Sequence, residues 1–422
     1  MSTRYMERLA KIEEVLLIAN KKINMDELRA GCSYGVPEQL RPLVWRLLFN
    51  YLPQERHKWQ SHLAEQRANY DLLIEQIIEE PGKATQSMDT SEGDHPLSNN
   101  PTSDWQTFFE DNKVLAQIDK DVRRLYPEIQ FFQLVSKFPH PHAVKYPLSS
   151  RVANAQLKTQ DIGTTRDGIV GCVKETNKQE VHDKTPTSEF HWNIVERILF
   201  IYAKLNRGVQ YVQGMNELVA PIYYIFANDS DDEWAAYAEA DTFFCFQQLM
   251  SEVKDNFIKK LDSSICGIES SMASFHNQLA LFDPDLHRHL ITSLEIKPQF
   301  YAFRWLSLLL SQEFPLPDVI TLWDALLSDP QRFSLLPFVC LAMIELQREQ
   351  LLCGDFSHCV RLLQNYPDAD VAKIVAYAQD IKEGRVQPID QKDASKGSRI
   401  VRHARQLSDT LRNLSINKKS SF

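Results

Sequence analysis

The sequence predicts an all-α protein, and three observations support this fold class. Glycine accounts for only 13 of the 422 residues, well below the usual share of about 7%, whereas sheet-rich folds use glycine at turns and bulges. Apolar residues recur at helical spacing over most of the chain. No segment alternates apolar and polar residues between hairpin turns, which is the pattern that predicts a strand.

Four segments carry the helical pattern most clearly. Trp192–Tyr202 places its apolar side chains along one helical face. Phe303–Leu310 is apolar nearly all round, so it is predicted to lie at the centre of the core. Pro317–Leu327 is typical of a helix that has a proline in its first turn, and Arg332–Leu352 is predicted to be another long apolar helix.

Three other segments differ in composition from the helical parts. Pro81–Ser103 is rich in proline, glycine, serine, asparagine and threonine, and Lys145–Ser188 is polar, so both are predicted to be flexible loops. Gln391–Phe422 holds eight basic and two acidic residues, a net charge of +6. This tail has two interpretations, a solvated and partly helical end, or a segment that contacts an anionic membrane surface or an acidic partner.

The composition argues against several classes of protein. The net charge of −9 argues against a nucleic-acid binder, which needs a basic face. The longest apolar runs, Leu218–Ala227 and Leu335–Ile344, are far shorter than the about 20 residues that a bilayer requires, so no transmembrane helix is predicted. The N-terminal residues form an amphipathic pattern unlike a signal peptide, and the seven cysteines are scattered without a CxxC pair. We therefore expect a reduced, cytoplasmic chain.

The sequence shows no motif for nucleotide or metal chemistry of its own. Gly163–Gly168 has the spacing of a phosphate-binding loop, but Ile169 and Val170 follow where such a loop needs lysine and serine or threonine. The histidine pairs at 140/142 and 287/289 lack acidic or thiolate partners at metal-binding spacing. We therefore predict no metal site and no cofactor in this chain.

Polar residues stand out within the helical segment Ile118–Pro127. Asp121 and Arg124 are three residues apart, so on a helix they share a face and the carboxylate can hold the guanidinium in a fixed pose. Arg123 and Arg124 cannot both point the same way, so one of them can be displayed outward. The alternative interpretation is an ordinary surface ion pair of little energetic value.

A second unusual segment is Tyr211–Asn216. Gly214 permits a sharp turn or the close approach of another backbone, and the amide of Gln213 is able to orient a water molecule. The simpler interpretation is that Asn216 caps a helix that begins near Glu217.

A third segment, Gly35–Trp45, is typical of a turn that leads into a helix. Arg41 and Trp45 are four residues apart and are predicted to pack together. For this segment a structural role is the favoured interpretation.

In this order, the three segments Gly35–Trp45, Ile118–Arg124 and Tyr211–Asn216 resemble the TBC domain of Rab GTPase-activating proteins. The further blocks that resemble the family are Ser103–Trp105, Phe303–Trp305, Ser311–Phe314 and Leu322–Asp324. The resemblance implies one large domain made of two helical subdomains. The predicted organisation is an N-terminal helical extension (1–30), the domain (31–365, with loops 81–103 and 145–188), a helical end (366–390) and the basic tail (391–422).

The resemblance also implies how such a domain acts. Arg124 corresponds to an arginine finger inserted beside the GTP of a Rab, Gln213 to a glutamine finger that orients the attacking water, and Asp121 to the group that braces the arginine. The supporting or GTPase-binding residues that it implies are Arg41, Trp45, Tyr211, Gly214, Asn216, Arg304 and Trp305. GTP and Mg²⁺ belong to the GTP-bound Rab, which is the expected partner, and the expected process is vesicle trafficking.

Two other functions stay open at this point. A domain of this kind can be a scaffold that binds a Rab without accelerating hydrolysis, although the presence of both Arg124 and Gln213 favours an active domain. A self-contained hydrolase is the third possibility, and it predicts GTP turnover without a GTPase. For the active domain we expect a cytoplasmic location, with peripheral contact to endomembranes or the plasma membrane through the basic tail.

Overall fold

The computed structural model describes residues 3–17, 22–78, 104–152, 188–258 and 267–389. The predicted loop 81–103, the basic tail 391–422 and residues 153–187 of the predicted loop 145–188 lie outside these ranges. Among the helices of the described ranges, none is long and apolar enough to cross a membrane.

Regular structure in the described ranges is helical. The α-helices are α1 (Thr3–Leu17), α2 (Met25–Cys32), α3 (Arg41–Leu48), α4 (Trp59–Ile77), α5 (Asp104–Val122), α6 (Pro141–Lys145), α7 (His191–Leu205), α8 (Met215–Ala227), α9 (Asp232–Ala235), α10 (Ala238–Val253), α11 (Ile268–Phe282), α12 (Pro284–His287), α13 (Ala302–Ser307), α14 (Leu316–Ser328), α15 (Leu336–Leu346), α16 (Arg348–Cys353), α17 (Phe356–Gln364) and α18 (Val371–Lys382). Within the same ranges, β pairing is limited to two isolated bridges, Lys22 with Glu55 and Val135 with Phe190. The predicted all-α fold is confirmed.

The helices form two groups around a continuous apolar core. Helices α4, α5, α7, α8 and α10 pack on one another, and α11, α13, α15 and α18 form the second group. Helix α14 contacts α8 in the first group and α18 in the second, and it also carries α2 and α3. This arrangement agrees with the two helical subdomains that the motifs imply.

Two of the predicted helices agree closely with the structure. Trp192–Tyr202 lies inside α7, most of whose side chains are buried. Pro317–Leu327 lies inside α14, which has proline in its first turn and polar Asp318 beside it. Proline is tolerated there because the first backbone N–H groups of a helix have no partner within the helix.

Arg332–Leu352 is not one helix, contrary to the prediction. Arg332 and Phe333 have positive φ angles of 45° and 52°, which an α-helix does not allow. The Arg332 guanidinium donates to the carbonyl oxygen of Leu48 at 2.7 Å, and this long-range bond favours a turn there. Helix α15 therefore begins only at Leu336, and a second break at Gln347 separates it from α16.

The prediction for Phe303–Leu310 is also only partly right. Helix α13 ends at Ser307, and Leu309 and Leu310 have positive φ angles of 50° and 61°. Trp305 lies in the core, but Phe303 is 44% exposed. The segment Phe303–Leu310 therefore does not lie wholly in the core, because it begins at the surface with Phe303.

The predicted flexible loop 145–188 begins too early. Residues 148–152 are helical, and Leu148 and Val152 are buried in the core. Two apolar anchors within five residues outweigh the polar composition of their neighbours, so the prediction is wrong for this part of the segment.

Asp324 of α14 joins the N-terminal motif to the rest of the fold. Its fully buried carboxylate accepts hydrogen bonds from the Trp45 indole Nε1 (2.7 Å), the Val36 backbone N (2.8 Å) and the Arg41 Nε (3.2 Å). Burial raises the pKa of Asp324 to about 6, and the Arg41 charge acts in the opposite direction. Gly35 supplies a positive φ of 105° just before this contact.

Replacing Asp324 with alanine is expected to destabilise the fold by about 3–5 kcal/mol, because it leaves the buried Trp45 indole without an acceptor and the half-buried Arg41 guanidinium without its counter-charge. Urea unfolding checks this. Asp285→Ala is the control, since Asp285 pairs with Arg288 near the surface at 3.1 Å, and such a pair contributes about 1 kcal/mol or less. Equal losses in the two variants contradict the central role of Asp324.

Candidate functional site

Arg124 lies in the turn that follows helix α5. The helix ends at Val122, and the Arg124 backbone N donates to the carbonyl oxygen of Asp121 at 3.2 Å. Its Nη2 lies 3.1 Å from Asp121 Oδ1, and its Nε donates to the Lys120 carbonyl oxygen at 3.1 Å. The side chain is nevertheless 72% exposed. The guanidinium is thus fixed at its base and open to solvent on its outer side.

The neighbouring Arg123 points in a different direction. This agrees with the expectation from the sequence that Arg123 and Arg124 cannot both point the same way. Its Nε donates to both oxygens of Asp119, at 3.0 and 2.9 Å, and its guanidinium lies 4.2 Å from the centre of the Trp192 ring. Arg123 therefore has a structural role, which leaves Arg124 as the displayed arginine.

Asp121 connects the arginine to the glutamine segment. Its side chain is only 4% exposed. Besides Arg124, it accepts a hydrogen bond from Gln117 Nε2 at 3.0 Å and one from the Tyr211 hydroxyl at 2.8 Å. Tyr211 stands two residues before Gln213. One buried carboxylate thus holds Arg124 directly and the glutamine segment through Tyr211.

The glutamine segment turns sharply at Gly214. Its φ angle of +102° favours glycine, and a Cβ atom added there would lie 2.8 Å from Leu308 Cδ2, so a larger residue also forces the Leu308 side chain to shift. Gln213 is exposed at this turn. Among the described residues, no hydrogen bond engages its side-chain amide, which leaves the amide free to meet a partner.

Asn216 does not cap the helix, contrary to the simpler interpretation of the sequence. Helix α8 begins at Met215 and Gly214 occupies the cap position. The Asn216 Oδ1 lies 3.2 Å from the Tyr211 hydroxyl, and its Nδ2 donates to Glu217 Oε1 at 3.0 Å. Asn216 thus continues the chain of polar contacts that starts at Asp121.

Arg124 opens onto a groove of about 480 Å³ between the two helix groups. The residues that line the groove are Arg124, Tyr126, Pro127, Glu128, Glu217, Arg304, Ser311, Gln312, Glu313, Phe314, Gln364, Asn365 and Tyr366. We call this surface the finger groove.

Arg304 and Trp305 support the wall of the finger groove. Arg304 donates to both carboxylate oxygens of Glu313, at 2.6 and 2.8 Å, and to the Gln364 carbonyl oxygen at 2.6 Å. Trp305 is fully buried behind it, with its ring against Tyr301. The charge of Arg304 is therefore committed to Glu313.

Arg41 and Trp45 lie apart from the finger groove, in the cluster around Asp324. Neither residue lines the groove, and Trp45 is fully buried. Their contribution to the site is support of the fold, as the structural interpretation of Gly35–Trp45 predicted.

Sequence reasoning did not single out Glu217, which lines the finger groove. Burial raises its pKa to about 7, hydrogen bonds from Gln312 and Asn216 act in the opposite direction, and the charges of Glu128 and Asp121 raise it further. The only available signal was an acidic residue at the start of the apolar run after Asn216. Its position in the groove depends on tertiary packing.

In the part of the chain that the structure describes, no three His, Cys, Asp or Glu side chains are grouped to hold a metal. A larger cleft of about 710 Å³ lies beside His191, Tyr223 and Glu239, but none of the predicted site residues lines it. Burial lowers the pKa of His191 to about 4.

Comparison with known proteins identifies the class of this domain. A family model described as the Rab-GTPase-TBC domain matches residues 172–352, which include Gln213 and Arg304, while Arg124 precedes the match. The solved Ypt/Rab-GAP domain of Gyp1p has the same fold, with a TM-score of 0.62 and 22% identity over 90% of this chain and 99% of that chain. The chain belongs to the family of Rab-GTPase-TBC domain proteins, as the motifs indicated.

Individual relatives match along nearly the whole chain. TBC1 domain family member 13 of Mus musculus is 46% identical over 409 residues, which cover 91% of this chain and 100% of that protein. The Homo sapiens protein of the same name gives the same identity and coverage. TBC1 domain family member 5 of Mus musculus is 28% identical over 87% of this chain and 44% of its own length.

Glu217→Gln is expected to remove a pH dependence from the stability of the fold. Because the folded-state pKa of about 7 exceeds the ordinary value of about 4.3, the folded chain binds the extra proton between these limits. The free energy of unfolding therefore falls as pH rises from about 4.5 to 7, by an amount on the order of 2 kcal/mol. Glutamine keeps the acceptor for Asn216 and loses the charge.

Urea unfolding of both proteins between pH 4.5 and 8 measures this difference. The variant is expected to be the more stable protein at pH 8. Glu75→Gln is the matched control, because Glu75 is exposed on helix α4 and does not line the groove, so its removal leaves the surroundings of Glu217 unchanged. If both variants change the pH dependence of the free energy of unfolding equally, the cause is the overall charge of the protein and not Glu217.

Proposed function

We propose that this chain accelerates GTP hydrolysis by a Rab-family GTPase, and that it supplies Arg124 and Gln213 to the partner's active site. The observation that carries the proposal is the Asp121 carboxylate, which holds the arginine at 3.1 Å and, through Tyr211 at 2.8 Å, the segment of the glutamine. Arg124 and Gln213 are both exposed, and both are positioned by the buried Asp121. This arrangement is suited to a pair of catalytic side chains that act on a bound partner protein.

Arg124 has the chemistry of an arginine finger. Charge accumulates on the transferred phosphoryl group in the transition state, and a guanidinium neutralises it with two directed hydrogen bonds. Asp121 and the Lys120 carbonyl oxygen engage Nη2 and Nε. In the described part of the chain Nη1 has no partner, and the side chain as a whole is 72% exposed. In the related Ras system such an arginine accelerates GTP hydrolysis about 10⁵-fold, which corresponds to a reduction of roughly 7 kcal/mol in the activation free energy.

Gln213 has the chemistry needed to orient water. Its amide combines one acceptor oxygen with two N–H donors, so it is able to accept from a water molecule and to donate to the GTPase. Gly214 fixes the turn on which it stands. The proposed role is to place the attacking water in line with the γ-phosphate, which lowers the entropic part of the barrier.

GTP and Mg²⁺ are assigned to the GTPase and not to this chain. Glu128, Glu217 and Glu313 line the finger groove, and Arg304 is paired with Glu313. A groove with this balance of charge offers little attraction to free triphosphate, which argues against a self-contained hydrolase. Turnover of GTP by the purified chain alone contradicts the proposal.

Arg124→Ala is expected to reduce GAP-stimulated hydrolysis by a factor on the order of 10²–10⁴, and Arg124→Lys is expected to restore little, because an ammonium lacks the two-pronged geometry. Gln213→Ala is expected to lower the rate as well, through loss of water positioning. Single-turnover hydrolysis over a panel of GTP-loaded Rab proteins measures all three variants and names the substrate.

The matched control for these variants is Arg288→Ala. Arg288 forms the same i,i+3 ion pair, with Asp285 at 3.1 Å, and it does not line the finger groove. Its loss is expected to leave stimulation unchanged. Binding of a Rab without stimulation by the wild-type chain supports the inactive scaffold, and an unchanged rate for Arg124→Ala removes this residue from the chemistry.

We also propose that the basic tail brings the chain to anionic membranes from the cytoplasm, as suits a regulator of vesicle trafficking. The net charge of +6 over residues 391–422 supports this proposal. Deletion of residues 391–422 is expected to weaken sedimentation with phosphatidylserine vesicles at low salt while solution stimulation of the Rab stays the same. Equal sedimentation of the two proteins contradicts it.

A further inference from the structure

Three exposed phenylalanines lie beside the finger groove. Phe300, Phe303 and Phe356 are 42%, 44% and 43% exposed. The rings of Phe300 and Phe356 meet edge to face with centroids 6.2 Å apart, and Phe303 follows three residues after Phe300. We call these three residues the aromatic patch. Large apolar side chains that stay exposed together mark interaction surfaces more often than isolated ones do.

Hydrogen bonds connect the aromatic patch to the groove wall. Gln364 Nε2 donates to the Phe300 carbonyl oxygen at 3.0 Å, and Arg304 donates to the Gln364 carbonyl oxygen at 2.6 Å. Both Arg304 and Gln364 line the finger groove, and Arg304 directly follows Phe303 in helix α13. The patch therefore adjoins the part of the groove wall that Arg304 and Gln364 form.

The size of a protein interface places the aromatic patch inside the footprint of a docked GTPase. Phe356 begins helix α17 and Gln364 ends it, so at a rise of about 1.5 Å per residue they stand about 12 Å apart. A standard interface buries about 800 Å² on each partner, which corresponds to a disc of about 16 Å radius. Because Gln364 lines the finger groove, a GTPase docked over the groove covers a surface wide enough to include Phe356.

We infer that the aromatic patch is part of the docking surface for the GTPase and sets the affinity and choice of that partner. The inference rests on the proposed function. The partner that fits is a GTP-bound Rab that presents apolar side chains to these three rings. Aromatic residues are enriched in protein interfaces and are frequent among the residues that carry the binding free energy. The patch holds none of the groups that act on the phosphate, so it contributes to binding and not to the chemical step.

The test is single-turnover hydrolysis at increasing concentrations of this chain, with the Rab most strongly stimulated in the panel. Phe300→Ser, Phe303→Ser and Phe356→Ser are each expected to raise the half-saturating concentration by about 10- to 30-fold, while the maximal rate stays the same. Phe303→Leu, which keeps an apolar side chain, is expected to recover most of the affinity. Thermal unfolding confirms that each variant is folded.

Leu72→Ser is the matched control. Leu72 is 52% exposed on helix α4, which belongs to the first helix group and contributes no residue to the finger groove. This variant is expected to keep the wild-type half-saturating concentration. An unchanged value in all three phenylalanine variants overturns the inference, and so does an equal increase in Leu72→Ser.

The outcomes separate this inference from the proposed function. Stimulation that depends on Arg124 but not on the three phenylalanines keeps the function and removes the docking role of the patch. Failure of the wild-type chain to stimulate any Rab removes both. Sedimentation of the wild-type chain gives a further check, because a dimer that Phe303→Ser dissociates assigns the patch to self-association.

Discussion

The arrangement of the finger groove depends on one buried carboxylate. Asp121 is almost completely withdrawn from solvent, and it contacts both proposed catalytic segments, Arg124 through the guanidinium and Gln213 through the Tyr211 hydroxyl. A buried charge costs several kcal/mol to desolvate, so the folded chain must provide donors for it. The hydrogen bonds that stabilise the buried Asp121 carboxylate therefore also fix the positions of the Arg124 and Gln213 segments. Displacement of either segment leaves the carboxylate with an unmet hydrogen bond.

The two helix groups hold this arrangement at their junction. The Tyr126 hydroxyl, two residues after Arg124, donates to the carbonyl oxygen of Ser311 at 3.2 Å, and Gly214 packs on Leu308. Both finger segments belong to the first group, and both contact the second. Asp324 in the same way holds the N-terminal segment Gly35–Trp45 against helix α14 through hydrogen bonds. The geometry of the site therefore depends on core packing between the groups, and the loops alone do not determine it.

Sequence reasoning predicted the contacts that local geometry decides. Asp121 and Arg124 are three residues apart, so helical spacing alone predicts their pairing. The bond from Tyr211 to Asp121 spans 90 residues, and the place of Glu217 in the groove depends on the packing of both helix groups, so no local pattern predicts either. Asn216 has the residue type of a helix cap, but the positive φ of Gly214 starts the helix two residues earlier than that assignment requires. Long-range packing accounts for each of these differences.

The charge of the finger groove gives a reason why the proposed fingers act on a nucleotide that another protein holds. Three carboxyl groups line the groove with Arg124, and Arg304 is already paired, so free triphosphate gains little there. In the proposed function the GTPase brings GTP together with Mg²⁺ and its own cations, and its docking would remove water from around the Arg124 guanidinium. Hydrogen bonds from guanidinium to phosphate strengthen in that lower dielectric. The exposure of Arg124 in the free chain thus avoids a desolvation cost until the partner that compensates it has docked.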